Sequence, residues 1–275
     1  MRIIVTGGNS GVGRATATAL AADGHSVVIG CRNIPKAEQA AADMVGDVEV
    51  RRLDLADLAS VRKFAETVDT VDVLVNNAGV LGLPLTRTAD GFEAHIGTNH
   101  LGHFALTCLL GDKITAGVVS VTSALHVFGR VDLDDLNWHT REYSKWAAYT
   151  QSKLANMLFI NELARRGVRA YACDPGAVDT DITRDSAGLL HWLGEHKGVP
   201  FYLQTPAEGA RASIDAVTTT LPTGTYLAPR FKLWGRPRAT RLREKACHPV
   251  IAGRLWELST ALTGCDWPAR RMSAL

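Results

Sequence analysis

Tyr149 and Lys153 stand four residues apart in a stretch, 149–165, whose apolar spacing predicts a helix, so the two side chains share one face. A free phenol titrates near 10, too high for efficient proton transfer at neutral pH. An ammonium fixed beside it favours the phenolate and is expected to lower that value. Tyr149 would then give a proton to a carbonyl oxygen during reduction and take it back during oxidation. Lys153 can also hold a nucleotide ribose. Alone, this spacing arises often by accident. A second pair, Tyr143 and Lys145, lies two residues apart, points to different sides of a helix and is set aside.

Three more residues could serve the same chemistry. Ser123 ends a predicted strand at 118–122, where its hydroxyl can hold a substrate carbonyl near Tyr149; Ser120 lies deeper in that strand. Asn99 falls in a predicted long helix, 91–110, and a buried amide there needs a partner. A water chain from Asn99 to Lys153 would satisfy it and relay protons. His126 either lines the pocket or sits on the surface. His100 and His103, flanked by Leu101 and Phe104 and lacking a third ligand, are expected to pack, and no metal site is expected.

These residues need a scaffold, and the chain alternates short apolar runs with helical segments. Strands are predicted at 3–5, 26–31, 48–53, 71–75, 118–122, 168–173 and 225–228. Helices are predicted at 11–22, 36–44, 58–68, 91–110, 149–165, 206–217 and 254–262. Strict alternation implies a single-domain α/β, doubly wound (Rossmann) parallel sheet of about seven strands with helices on both faces. The first strand runs into Thr6-Gly7-Gly8-Asn9-Ser10-Gly11-Val12-Gly13 and then directly into a helix. In that context Gly7, Asn9, Ser10, Gly11, Val12 and Gly13 suit a pyrophosphate, because glycines let the backbone approach it and a helix N-terminus attracts anions.

The end of the second strand bears on which nucleotide binds. An NAD-binding fold usually places an acid there for the ribose hydroxyls. Here Cys31 takes that place and Arg32 follows. A guanidinium grips a 2′-phosphate that a carboxylate would repel. NADP(H) is therefore expected in preference, with NAD(H) possible. Arg14 either joins this pocket or is solvated. Asp54 and Leu55, after the third strand, suit the adenine; Asp54 can equally be a turn residue. Asn76, Ala78 and Gly79, after the fourth strand, suit the ligand crevice of an open α/β sheet.

Composition narrows the classes. The chain has 275 residues, 46% hydrophobic and 21% charged, with a net charge of +2, which fits an ordinary globular domain. Its five cysteines are scattered, so neither a disulfide framework nor a zinc site is expected. No signal peptide is readable and no apolar run approaches the roughly 18 residues of a membrane span. A cytoplasmic protein without a stable membrane anchor is expected. The run 230–245 carries seven basic residues and one acid, within a C-terminal extension spanning 230–275. A solvated face is the plainer reading; an anionic membrane surface or acidic partner is the alternative. No aromatic interleaving is read there, and no nucleic acid is expected as a partner.

In order along nearly the whole chain, the glycine loop, Asn76-Asn77-Ala78-Gly79, Asn99, Ser123, Tyr149–Lys153 and Pro175-Gly176-Ala177-Val178-Asp179-Thr180 resemble the short-chain dehydrogenase/reductase family. Strings such as TGGNSGVG, TNHLGHFALT and AYTQSKLANMLF are similar to the branch holding retinol dehydrogenases, the WW-domain oxidoreductase and protochlorophyllide reductase. The resemblance implies a tetrad of Asn99, Ser123, Tyr149 and Lys153. It implies cofactor contacts from the glycine loop, Arg32, Asp54, Asn76, Tyr149, Lys153, Pro175, Gly176, Val178 and Thr180. It also implies an apolar carbonyl or alcohol substrate, and either a homodimer or, if the C-terminal extension covers the long helices, a monomer. The anchor, WW module and insertions of those relatives are not seen. A lid is expected around 181–205, where Leu189, Leu190, Trp192, Leu193, Phe201 and Tyr202 fall. The competing function is a non-catalytic NADP(H)-binding redox sensor, which typically lacks the Tyr or Lys.

Overall fold

The structure, a computed structural model, describes residues 1–179 and 203–268. β-Rich apolar runs become strands β1 (Arg2–Thr6), β2 (Ser26–Cys31), β3 (Asp47–Arg52), β4 (Val71–Asn76), β5 (Ile114–Val121), β6 (Ala170–Cys173), β7 (Tyr226–Pro229) and β8 (Pro237–Thr240). They form one sheet in the order β3-β2-β1-β4-β5-β6-β7-β8. All pairings are parallel except β7 with β8. The order reverses between β1 and β4, and the crevice beyond those strand ends is where an open α/β sheet binds ligands. Sequence reading gave about seven strands; the eighth, β8, is a short polar antiparallel edge that apolar patterning does not reveal.

Helices α1 (Gly11–Ala22), α2 (Ile34–Ala42), α3 (Leu58–Glu66), α6 (Lys145–Arg165), α7 (Pro206–Thr218), α8 (Glu244–Cys247) and α9 (Pro249–Thr263) flank the sheet. The predicted helix over 91–110 is instead broken. It runs as α4 (Ala94–Ile96), a π-helical turn Gly97–Leu101 and α5 (Gly102–Leu109). Such turns concentrate at functional sites, and this one carries Asn99.

Two apolar clusters sandwich the sheet. One joins Ile4, Leu74 and Val118 to Phe104, Leu158 and Trp256; the other joins Ile3, Val5 and Val75 to Ala17, Leu20 and Ala212. Alternate residues of the same strands feed opposite faces, as the period of a strand requires. No described helix is long and apolar enough to cross a membrane.

Candidate active site

A cleft of about 510 Å³ opens along the strand ends and is lined by the glycine loop, Arg32, Asp54, Leu55, Ala78, Gly79, Ser123, Tyr149, Lys153, Pro175, Gly176 and Val178. Its floor at the β1–α1 turn depends on glycine. Gly7 and Gly11 have φ of +67° and +52°, and a Cβ on Gly13 would come within 2.4 Å of the Gly7 carbonyl oxygen. Ser10, the N-cap of α1, makes no side-chain cap hydrogen bond, so the first N–H groups of α1 are left for a ligand. This cradle suits a pyrophosphate.

At the far end of the cleft lie Arg32, Asn33 and Lys36. The Arg32 side chain is exposed. Cys31 is buried, and burial pushes its thiol up to about 11. Among the described residues, Cys31, Arg32 and Asn33 rather than a carboxylate occupy the end of β2. Arg14 does not join them: its guanidinium pairs with Asp43 at 2.7 Å. Asp54 is a turn residue, its Oδ1 accepting from the Ala56 N–H at 3.0 Å, and it also lines the cleft.

Asn76 is displaced from the role expected of it. It is not among the residues lining the cleft. Its strand parity turns it into the core, where Nδ2 donates to Thr107 Oγ1 at 2.9 Å. The neighbouring Asn77 lines the cleft instead, and its Nδ2 donates to the Thr6 carbonyl at 2.8 Å. Thr180 lies outside the described residues, as does nearly all of the expected lid.

The other end of the cleft gathers the predicted chemistry. α6 brings Tyr149 and Lys153 to one face, and Ser123, two residues beyond β5, lines the same end of the cleft. Lys153 Nζ lies 5.7 Å from the Tyr149 ring centre and donates to the Val121 carbonyl at 3.2 Å. Burial holds Lys153 down to about 8, although the Asp174 carboxylate pulls it upward. The expected lowering of Tyr149 is not found. Burial raises its phenol above the usual value, the Ser123 hydroxyl opposes this, and Asp174 raises it further. In a desolvated pocket the cost of a buried phenolate outweighs an ammonium at this separation.

The Asn99 side chain has direct partners on Val80 and Ser152. Its Oδ1 accepts from the Val80 N–H at 2.7 Å, and its Nδ2 donates to the Val80 carbonyl at 3.0 Å and to Ser152 Oγ at 2.9 Å. Asn99 thereby pins the loop after β4 to α6. His100 and His103 are buried and held neutral by burial, near 3 and 4. Among the described residues no cluster could hold a metal ion. His126 neither lines the cleft nor faces solvent; it is buried edge-on against Tyr226, with Nδ1 2.7 Å from the Ser123 carbonyl oxygen.

Comparison with known proteins is decisive at this point. Human Retinol dehydrogenase 13 is 39% identical over 99% of this chain and 87% of its own length. The chain belongs to the short-chain dehydrogenase/reductase family. The family model described as short chain dehydrogenase matches residues 1–133. A solved structure of a putative uncharacterized protein from Mycobacterium paratuberculosis is 44% identical, with a TM-score of 0.86, covering 98% of this chain and 95% of that one. A short chain dehydrogenase from Burkholderia cenocepacia, in complex with NADP, has a TM-score of 0.63 at 24% identity, covering 82% of this chain and 94% of that one, which shows the fold alone. The protein is thus an oxidoreductase of a family acting on alcohol and carbonyl groups.

For this short-chain dehydrogenase/reductase the sequence left two parts of the site unread. Asp174, directly before Pro175, is buried; it accepts from the Gly176 N–H at 2.8 Å and the Tyr226 hydroxyl at 2.9 Å, and it sits near the Ala124 N–H. It ties the loops after β5 and β6 to β7. The second part is Glu93–His95–Tyr143. His95 Nδ1 is 2.7 Å from Glu93 Oε1, the Tyr143 hydroxyl donates to the same oxygen at 3.0 Å, and the His95 ring meets Tyr149 edge-on at 6.2 Å. Tyr143 therefore reaches Tyr149 through His95, without lining the cleft and without Lys145. Glu93 and His95 fall inside the predicted helix 91–110 and Tyr143 lies 50 residues beyond Glu93, so nothing in the sequence showed that they meet.

Proposed function

We propose that the protein interconverts a lipophilic carbonyl compound and its alcohol, using NADP(H) in preference to NAD(H), with Tyr149 as the proton donor and acceptor. The reading rests most on one observation: Ser123, Tyr149 and Lys153 line the same end of a glycine-floored cleft, with Lys153 Nζ 5.7 Å from the Tyr149 ring centre. Bound in this cleft, the nicotinamide supplies or accepts the hydride.

The chain's own residues do the rest. Backbone N–H groups of the β1–α1 turn hold the pyrophosphate, and Arg32 meets the 2′-phosphate. Asp54 and Leu55 flank the adenine, and Ala78 and Gly79 let the nucleotide lie close. Pro175, Gly176 and Val178 would border the nicotinamide end, and the resemblance adds Thr180 as a further contact. Ser123 holds the substrate oxygen next to Tyr149. Because burial keeps the Tyr149 phenol protonated at neutral pH, it is set to donate to that oxygen during reduction. Lys153 places a cation by the ribose and by the developing charge. Asn99 fixes the floor between the loop after β4 and α6. The relatives named retinol dehydrogenases support an apolar substrate.

The test follows NADPH and NADH consumption with aldehydes and ketones of graded lipophilicity, alongside Tyr149→Phe. NADPH should be preferred, long apolar carbonyls should have the lowest KM, and the variant should lose about 10²–10⁴-fold in kcat. NADPH binding without turnover on any carbonyl would favour the redox-sensor alternative.

A further inference from the structure

We propose that the turn between β7 and β8 is a docking surface for an anionic lipid bilayer. From Arg230 to Arg243 the chain has six cations, Arg230, Lys232, Arg236, Arg238, Arg241 and Arg243, and no acid. All six are exposed and none forms an ion pair with a described residue. Against a net charge of only +2 for the whole chain, this is a strong local concentration.

The cations surround an aromatic pair that the sequence reading did not credit. Phe231 is 56% exposed, the Phe231 and Trp234 rings lie 6.1 Å apart, and the Arg230 guanidinium sits 5.5 Å over Phe231. An exposed Phe231 beside a half-buried Trp234, ringed by arginine and lysine, matches the headgroup boundary of a bilayer, where such rings bury their apolar bodies and cations meet anionic lipid.

The turn is also built in advance. The Arg230 N–H donates to the Arg236 carbonyl and the Phe231 N–H to the Trp234 carbonyl, each at 3.1 Å. Lys232 and Gly235 adopt φ of 69° and 100° to close it. The Leu233 carbonyl accepts from the Ala177 N–H at 2.9 Å, and the Gly235 N–H donates to Gln204 Oε1 at 3.1 Å. Docking therefore orders little new chain. These ties also set the turn directly behind the Pro175–Ala177 loop, so a docked bilayer would lie beside the mouth of the cleft. A strand-connecting turn offers a wedge rather than the backbone-tracking groove that single-stranded nucleic acid uses, which favours lipid.

The test is cosedimentation of the full chain with phosphatidylcholine vesicles, with or without roughly 30% phosphatidylserine; each cation engaged is worth about fivefold in partitioning. Binding should need phosphatidylserine and fade with added salt. Arg236→Glu with Arg238→Glu, and separately Phe231→Ser with Trp234→Ser, should each weaken it at least about tenfold. Both double variants should keep their melting temperature and their turnover of a water-soluble aldehyde, which separates failure of docking from failure of the catalytic reading. No binding to anionic vesicles at low salt, binding that both folded variants retain, or tighter binding to a single-stranded oligonucleotide than to vesicles would overturn the proposal.

Discussion

Asp174 Oδ2 accepts a hydrogen bond from the Tyr226 hydroxyl at 2.9 Å, and both side chains are buried. Burial raises the Asp174 carboxyl above its usual range, opposed by the Gly176 and Tyr226 hydrogen bonds and by Lys153. In return Asp174 raises both Tyr149 and Lys153. Asp174→Asn removes that charge, so both proton affinities should fall. Reduction needs a protonated phenol, so the alkaline limb of kcat/KM for reduction should move to lower pH. A pH–rate profile of wild type and variant reads this directly. An alkaline limb that stays in place would reduce Asp174 to a structural tie between the loops.

Arg32 sets the second expectation. It borders the cleft beyond β2, where Cys31 rather than an acid occupies the strand end. A charged hydrogen-bonding contact to a phosphate contributes about 1.5–3 kcal/mol, roughly a 10- to 100-fold effect. Arg32→Glu should raise the KM for NADPH by about that factor while leaving NADH equal or improved, since a carboxylate can accept from ribose hydroxyls. An unchanged ratio of kcat/KM for the two cofactors would remove Arg32 from the assignment and leave Asn33 and Lys36 to be tested.

Much of this was legible in the sequence, and the gaps have physical causes. The apolar runs of β1, β2, β4 and β5 and the glycine turn were readable because buried parallel strands and phosphate-binding turns constrain residue type strongly. Ser123, Tyr149 and Lys153 were readable because helix periodicity puts two of them on one face and a strand end supplies the third. Asn76 was misplaced, since strand parity decides which of two adjacent asparagines faces the cleft, and a register error of one residue reverses it. The expected lowering of the Tyr149 phenol failed because spacing reports the neighbouring charge but not the desolvation opposing it. β8 and the Phe231–Trp234 tip were missed because edge strands and turns carry little periodicity.

Tyr143 offers a check on the cluster packed against Tyr149. Burial alone would raise Glu93, but hydrogen bonds from the His95 ring and from the His95 and Ile96 N–H groups outweigh it and hold the carboxylate below its usual range. The Leu83 N–H donates to His95 Nε2 at 3.3 Å, which leaves Nδ1 to carry the proton toward Glu93. Tyr143→Phe removes a hydroxyl bonded to a buried charge and should cost about 1.5–3 kcal/mol in denaturant unfolding. No reacting proton passes through Tyr143, so kcat should change by less than about tenfold, well short of the loss from removing a general acid. A loss matching that of Tyr149→Phe would make Tyr143 a catalytic group.

The C-terminal helix bears on assembly. Trp256 on α9 is buried, stacks on Phe159 of α6 at 5.9 Å and meets Phe104 of α5 edge-on at 4.9 Å. Its Nε1 donates to Asp266 at 2.8 Å, and the Arg166 guanidinium lies 4.1 Å from its ring centre. α9 thus occupies a face of α6 and of the α5 segment of the broken 91–110 helix, through which the resemblance implies dimerisation. A monomer is expected, and sedimentation velocity across a range of concentrations reads it. Trp256→Ala should cost about 3–5 kcal/mol and lower the melting temperature by roughly 10 °C. If α9 substitutes for a partner subunit, the variant should also self-associate as the uncovered aromatic face of α5 and α6 seeks another apolar surface. A variant that melts lower yet stays monomeric at every concentration would show that α9 stabilises the fold without deciding its oligomeric state.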